Sequence, residues 1–480
     1  MVTTECCGWL ALCVHILLCF HHAAWAADHV NCKTDRLNVL LILADDLRPS
    51  LGCYGDTVVK SPNIDQLASK SMIFQNAFAQ QAVCAPSRTS FLTSRRPDTT
   101  RLYDFNSYWR VHAGNYTTLP QYFKSNGYIT MSVGKVFHPG IASNRSDDYP
   151  YSWSVHPYHP SSLAFERQKE YLKLYPIENM SLAPDPAIPS GLPSVAYNPW
   201  TDIREREDVQ ALNISFPYGP IPKHFQLKIR QNYFAAVSFL DAQVGQLLGT
   251  LDDLGLSDST IVVFSSDHGW SLGEHGEWAK YSNFDVATRV PLIFYAPGLT
   301  TPHPKFGLRI FPFIDAFSYT PNRISKRNSV ESIVELIDLF PTLVDLVALE
   351  VPPSCPDQSF HIDLCTEGSS LMDFLNINNV QNDDEAIAYS QYPRPSNIPQ
   401  KNSDLPHLED IRIMGYSIRS AEYRYTLWVG FDPSTFHANF QDVYAGELYF
   451  TESDPEQDFN MYNSSLHVDL FQKFWKHLIP

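Results

Sequence analysis

The sequence predicts an α/β fold: a large mixed, mostly parallel sheet flanked by helices, with a smaller antiparallel subdomain at the C-terminal end. Three observations carry this. Residues 38–44 (NVLLILA) form an unbroken apolar run closed by Asp45-Asp46, and residues 260–265 (TIVVFS) repeat the pattern ahead of Asp267-His268. Runs without alternation read as strands buried on both faces. Between them Tyr233, Val237, Leu240, Val244, Leu247 and Leu251 recur at steps of four and three, which is one face of a helix within 227–251. Strand, helix and strand in this order indicate a parallel α/β core. Ligands of such sheets bind beyond the carboxyl ends of the strands, where both acidic clusters stand.

The other elements follow in chain order. Residues 8–20 form an apolar run, and Ala24-Trp25-Ala26 supplies small residues at A-x-A spacing, so 1–26 reads as a signal peptide cut near Ala26. A membrane anchor is the alternative, but the run is shorter than the ~20 residues a spanning helix needs. No later segment reads as a membrane span. Residues 27–33 are a possible propeptide. Of nine cysteines, Cys6, Cys7, Cys13 and Cys19 leave with the signal, and Cys32, Cys53, Cys84, Cys355 and Cys365 remain. Cys355 and Cys365 close a short loop and are the best disulfide candidate in an oxidising lumen. Five sequons, at Asn115, Asn144, Asn179, Asn213 and Asn463, fit a secreted glycoprotein. Residues 140–222 are rich in Pro, Tyr, Asn and Ser with little periodicity, and a structureless connection of that length is suspicious in a compact domain. Residues 411–418 and 423–429 flank Arg419-Ser420-Ala421-Glu422 and read as a hairpin, and 448–450 as another short strand. We therefore divide the mature chain into a larger N-terminal part, 34–376, and an antiparallel subdomain, 377–480.

The chain has 480 residues, with 35 Lys+Arg, 52 Asp+Glu and 17 His, and a net charge of −17. That balance argues against nucleic acid or a bulk anionic membrane as partner, while permitting an anionic small substrate in a locally basic pocket. Loss of 1–26 removes one Glu and three His, leaving −17 + 1 = −16 and 14 histidines; full protonation of those would bring the charge to −2.

Cys84-Ala85-Pro86-Ser87-Arg88 is the most informative segment. Pro86 suits the first turn of a helix, which puts Cys84 at a helix N-terminus where backbone N–H groups favour an anion. Arg88, one turn on, is a planar cation able to grip an oxyanion bidentately. The chemistry alone is divided between a reactive cysteine beside an anion site and a buried structural cysteine at a helix start.

The motif C-x-P-S-R, followed by Thr93-Ser94-Arg95-Arg96, resembles the signature of the type I, formylglycine-dependent sulfatases. Further segments fall in that family's order: Asp45-Asp46-Leu47-Arg48, Ser61-Pro62-Asn63, Gly134-Lys135-Val136-Phe137-His138 and Ser266-Asp267-His268-Gly269. Longer stretches, GCYGD at 52–56, RPDTTRLYDFNSYWR at 96–110, GEHGEWAKYSNFDVATRVPLIFY at 273–295 and SQYPRPS at 390–396, are most similar to the branch acting on the 2-sulfate of terminal iduronate in dermatan and heparan sulfate. The resemblance implies an alkaline phosphatase-like sulfatase fold, an exosulfatase activity and a lysosomal location reached through the secretory pathway. It also implies a formylglycine-generating enzyme as maturation partner, a mannose-6-phosphate receptor engaged through the glycans, and a sulfated glycosaminoglycan as substrate.

It implies a mechanism as well. Cys84 oxidised to formylglycine hydrates to a geminal diol; one hydroxyl attacks sulfur, the alcohol leaves, and collapse to the aldehyde expels sulfate. A single Ca²⁺ would be held by Asp45, Asp46, residue 84, Asp267 and His268; carboxylates suit Ca²⁺, whereas imidazole is an unusual ligand for it. Lys135, His138 and Lys280 match sulfate-contacting positions, Arg88 joins them as a catalytic residue supplying the local basic field, and a protonated His138 could stabilise or protonate the leaving group. Trp270 and Tyr281 are candidate sugar-stacking walls, with core packing an equally good reading of both. One departure stands out. Family members carry a strand and a His-x-Pro-His segment that this chain lacks, since His159-Pro160-Ser161-Ser162 runs directly into Leu163. His156, His159 and His224 do not stand in the matching context. Losing a core strand is expected to expose its neighbours and leave backbone groups unpaired at about 1–3 kcal/mol each, and so to impair folding and activity.

Overall fold

A computed structural model describes residues 36–160, 169–303, 308–320, 328–375 and 385–464. The signal peptide, the propeptide, the Ser162–Leu163 junction and the boundary at 376/377 lie outside the described residues. From Asn38 onward the chain forms one compact unit. Its main elements are β1 (Asn38–Ala44), α1 (Pro62–Ala68), β2 (Met72–Phe78), α2 (Cys84–Thr93), α3 (Lys223–Asp253), β3 (Thr260–Ser266), β4 (Ser271–Leu272), β5 (Trp278–Ala279), β6 (Arg289–Tyr295), β7 (Ser329–Glu335), α4 (Leu339–Leu346), β8 (Ala388–Arg394), β9 (Ile413–Arg419), β10 (Tyr423–Asp432) and β11 (His437–Phe450).

The central sheet runs β1-β3-β6-β2-β7. β1 pairs parallel with β3 and β2 parallel with β7, while β6 is antiparallel to both its neighbours. The sheet is therefore mixed: two of its four pairings are parallel, and four of its five strands run the same way. The β1–β3 register sets Ala44 opposite Ser266, so Asp45-Asp46 and Asp267-His268 leave the sheet side by side. This register does more than any other pairing to position the site.

Two expectations need correction. β3 is buried throughout, but β1 is not buried on both faces: it lies at the edge of the sheet, and Val39 to Leu43 are only half-buried. No strand among the described residues covers its outer side. An apolar run suited to two-sided burial thus has one row of backbone groups without a ladder partner. Residues 129–133 show a related mismatch. Ile129, Met131 and Val133 are 67%, 50% and 64% exposed, alternating with buried Thr130 and Ser132, and Val133 makes one isolated bridge to Tyr158. That is strand-like alternation with the apolar side outward.

The second correction concerns α3. Its buried stripe is Phe234, Val237, Ser238, Asp241, Val244, Gly245 and Leu248, rotated from the expected face, and Leu247 is 42% exposed. Small residues let α1 approach: a Cβ on Gly245 would come within 2.3 Å of the Asn63 side chain. Asp241 accepts N–H bonds from Asn63 (2.9 Å) and Ile64 (2.8 Å), satisfying the first turn of α1. Hydrophobicity counts missed this polar docking point.

The C-terminal sheet is antiparallel in the order β11-β10-β9-β8, and the expected hairpin is β9–β10. It is tied to the first part by Gln391 N–H on the Gln80 carbonyl (2.8 Å) and by Arg394, which donates to the carbonyl of Tyr281 (2.8 Å). The Cys355–Cys365 disulfide is formed.

Several buried carboxyls titrate high because burial disfavours their charge. Asp65 is raised to about 6, Glu277 and Asp338 to about 7, and Asp241 and Asp404 to about 8. The folded state therefore holds more protons than the unfolded chain between the ordinary carboxylate range and pH 8. Their stabilisation is present at acid pH and is lost as pH rises through 6 to 8. We expect a higher melting temperature at pH 5 than at pH 8, read by calorimetry at fixed calcium; an equal or higher value at pH 8 would contradict this.

Candidate active site and metal centre

Cys84 opens α2, is 2% exposed, and points its thiol at the ends of β1 and β3. Lys280 Nζ lies 3.0 Å from Cys84 Sγ and 2.8 Å from Asp46 Oδ1. His268 Nε2 lies 3.4 Å from Cys84 Sγ, 3.5 Å from Asp46 Oδ1 and 3.6 Å from Asp267 Oδ2. Ligand atoms of Asp46, Cys84 and His268 fall within 4.8 Å of one another, as do those of Asp45, Cys84 and Asp267. All five residues named from the resemblance as metal ligands therefore converge.

The convergence has local causes. Asp46 adopts a left-handed conformation (φ 59°), which turns the chain sharply after β1. Its backbone N–H donates to Asp267 Oδ1 at 3.1 Å, and its carbonyl accepts from Tyr233 Oη of α3 at 2.9 Å. At Gly269 a Cβ would meet the Val286 carbonyl at 2.3 Å, so glycine is required for that close approach. Ser87 donates its hydroxyl to the Asp267 carbonyl and locks α2 to β3.

Arg88 is fully buried and spent on the protein: Nε donates to Asp267 Oδ2 (2.8 Å), Nη2 to Asp45 Oδ1 (3.0 Å), and Nη1 to the carbonyls of Lys135 and Val136. In this arrangement it holds the Asp45 and Asp267 carboxylates in place. Lys135 Nζ bonds both Asp45 oxygens, at 2.8 and 2.9 Å, and its side chain is 27% exposed.

Electrostatics follow from this packing. Burial opposes the charge of Asp267, but Arg88 outweighs it and holds the carboxyl well below the usual range. Burial also opposes the charge on Lys280, and Asp46 reverses the balance and raises it well above the ordinary value. His138 goes the other way. Burial, then Lys135, pull it down to about 4, and its ring stacks on Phe105 at 4.2 Å. In the free protein burial and Lys135 thus favour the neutral imidazole, the opposite direction from the protonated His138 that the resemblance implies.

Trp270 is half-buried with Lys280 Nζ 5.5 Å from its ring, in keeping with a wall of the site. Tyr281 is not: it is 3% exposed and its hydroxyl donates to Asp202 Oδ2 at 2.8 Å, so the stacking role is withdrawn in favour of core packing. Two positioning residues went unnoticed in the sequence. Asp202 carried no signal, since it sits in the irregular region. Tyr233 was legible only as an apolar helix position, though its hydroxyl holds both Arg48 N–H (3.1 Å) and the Asp46 carbonyl. The five sequon asparagines are all exposed.

The donor set fits a hard divalent cation. Three carboxylates converge with one imidazole and residue 84, and Arg88, Lys135 and Lys280 already balance the three negative charges. A divalent ion added there creates a net positive centre suited to an anionic ester.

Comparisons with known proteins agree with this geometry. The sulfatase family profile matches residues 37–157 and 155–349, two pieces that meet at 155–157. The chain is 57% identical to the iduronate 2-sulfatases of Homo sapiens and of Mus musculus, covering 97% of this chain and 97% of each relative. The human alignment runs over 538 residues, 538 − 480 = 58 more than this chain contains, so that relative has at least that many residues without a counterpart here. A choline-sulfatase of Rhizobium meliloti is 25% identical over 72% of each chain. Among solved structures, a 2-O GAG sulfatase superposes with a TM-score of 0.59 at 18% identity, covering 92% of this chain and 91% of its own. A phosphonate monoester hydrolase from Silicibacter pomeroyi does so at 0.62 and 17%, covering 92% and 95%. These two show a shared alkaline phosphatase-like fold. With a profile over most of its length, relatives at 57% identity, and a cysteine set among three carboxylates and a lysine, the chain belongs to the sulfatase family.

Proposed function

We propose that the protein hydrolyses the 2-sulfate ester of terminal iduronate in dermatan and heparan sulfate, as an exosulfatase of the lysosome. The observation that carries this reading is the placement of the Cys84 thiol between Lys280 Nζ and His268 Nε2, beside Asp45, Asp46 and Asp267. The identity to iduronate 2-sulfatases supplies the substrate. The exposed sequons and the acid-favoured buried carboxyls support a secretory route to an acidic compartment. On this reading maturation needs a formylglycine-generating enzyme, and a mannose-6-phosphate receptor acts through the glycans.

The roles divide by geometry. Once residue 84 is oxidised to formylglycine and hydrated by one water to the geminal diol, one of its hydroxyls would be the nucleophile toward sulfur, and a bound Ca²⁺ would supply the Lewis acidity that lowers that hydroxyl's pKa. Asp45, Asp46, Asp267 and His268 would hold the ion, with Arg88 keeping Asp45 and Asp267 in place. Lys280 stays charged beside residue 84 and offsets charge that develops on the sulfuryl oxygens. Lys135, partly exposed, offers a second cation at the mouth. His138, held below its ordinary value by burial and Lys135, would serve the leaving oxygen once the charge of a bound sulfate ester offsets Lys135. Trp270 borders Lys280 on the sugar side.

A second reading has its own support: the same enzyme lowered in activity by a missing internal segment, acting at most as a glycan-binding glycoprotein. The alignment deficit, the break of the family profile at 155–157, the uncovered edge of β1 and the outward apolar residues 129, 131 and 133 all favour it.

Mass spectrometry of the peptide around residue 84 and turnover of a fluorogenic iduronate 2-sulfate test both readings. An aldehyde at 84 with measurable turnover, abolished in C84A, is expected; aldehyde without turnover would refute the enzyme. Turnover well below that of the human relative is expected from the missing segment, and parity would remove the second reading. Lys280→Ala should lower kcat by about 10²–10³-fold, the loss typical of a group that stabilises transition-state charge. Arg88→Lys should instead weaken calcium affinity by about 10–100-fold, because it supports the ligands from behind; unchanged calcium affinity by isothermal titration would argue against that role.

A further inference from the structure

Away from the site just described, three acidic or imidazole side chains meet where distant segments join. Asp185 belongs to the irregular region, His275 to the turn between β4 and β5, and Asp458 to the chain beyond β11. Their ligand atoms lie within 4.8 Å of one another. His275 is 2% exposed and holds a left-handed backbone conformation (φ 58°), unfavourable for a residue with a side chain. That conformation is kept by its N–H bond to the Asp185 carbonyl (2.8 Å) and by stacking of its ring on Phe284 at 3.9 Å. It aims Nε2 at the Glu456 carbonyl (2.6 Å) and at Asp185 Oδ2 (3.0 Å).

The charges do not close. Asp185 is 6% exposed, yet its Oδ1 accepts no hydrogen bond. A buried carboxylate without full satisfaction is costly. Asp458 stands beside it, and the carboxyls of Glu456 and Asp458 are pushed upward, first by burial and then by Asp185. Protonated His275 paired with Asp185 would neutralise one carboxylate and leave Asp185 Oδ1 and Asp458 unanswered.

We propose that Asp185, His275 and Asp458, together with the Glu456 carbonyl, bind a divalent cation of the zinc class at a structural site separate from the catalytic one. With one carboxylate fewer than the catalytic centre and the same imidazole, this donor set is poorer in hard oxygen ligands and suits a borderline cation better than calcium. Ligands about 2.0–2.2 Å from a tetrahedral zinc ion stand roughly 3.3–3.6 Å apart, so the site closes by an inward swing of half-exposed Asp458 and a slight withdrawal of the Glu456 carbonyl, now 2.6 Å from Nε2. The ion clamps the β4–β5 turn, five residues ahead of Lys280, to the C-terminal segment and to the irregular region.

The test is zinc uptake by the calcium-loaded full-length protein, compared with Asp458→Asn, a half-exposed position whose substitution spares the core, and with Asp185→Asn. After equilibration with micromolar Zn²⁺ and desalting, elemental analysis should find about one more zinc per chain in the wild type than in either variant; any zinc at the catalytic carboxylates is common to all and cancels. Zinc should also raise the melting temperature of the wild type and not of D458N. Equal zinc content in wild type and D458N, or none in either, would mean a plain His275–Asp185 ion pair and overturn the proposal.

Discussion

One buried guanidinium organises the catalytic centre. Arg88 has no exposed surface, and it reaches the ends of β1 and β3, the 134–136 loop and its own helix α2 at once. A buried cation is tolerable only when its partners are charged and well aligned. Here two carboxylates and backbone carbonyls meet its planar donors, and the same carboxylates face the position where a divalent ion would sit. The arrangement makes metal ligands out of acidic residues that would otherwise repel one another. Lys280 plays the corresponding part for Asp46, and the parallel β1–β3 register places the acidic pairs within reach of both.

The weakest part of the structure is next to this well-determined centre. β1 carries Asp45 and Asp46 at its end, yet it is the outermost strand of the sheet and only half-buried. Its sequence is that of an interior strand. The human relative has at least 58 residues without a counterpart here, and the family profile breaks at 155–157. Catalytic geometry is thus preserved by the Arg88 and β1–β3 contacts, while the support behind β1 is thin.

Much of the fold was legible because it follows local rules. Unbroken apolar runs marked β1 and β3, spacing marked α3, and the hairpin at 413–432 followed from alternation around a turn. The exposure of β1 was not legible, since a strand's sequence records the environment it suits and not whether a neighbour is present. The buried face of α3 was misjudged because its docking depends on Gly245, Ser238 and the polar Asp241 as much as on leucines. At the site, Cys84, Asp45, Asp46 and Asp267 were named from motifs. Asp202 and the Tyr233 hydroxyl were not, because each acts through a partner far away in the chain.

By itself the sequence determined the identities of the reactive groups and the order of the strands that carry them, since both depend on residue type and short-range spacing. Only the tertiary structure decided what each charge does. Arg88 became a support for carboxylates, because its donors were already filled. His138 was drawn toward the neutral imidazole because it lies buried beside Lys135, and Tyr281 became a core residue because Asp202 and Tyr392 enclose it. The Arg88 contacts join segments 43 to 179 residues apart, which no local pattern encodes.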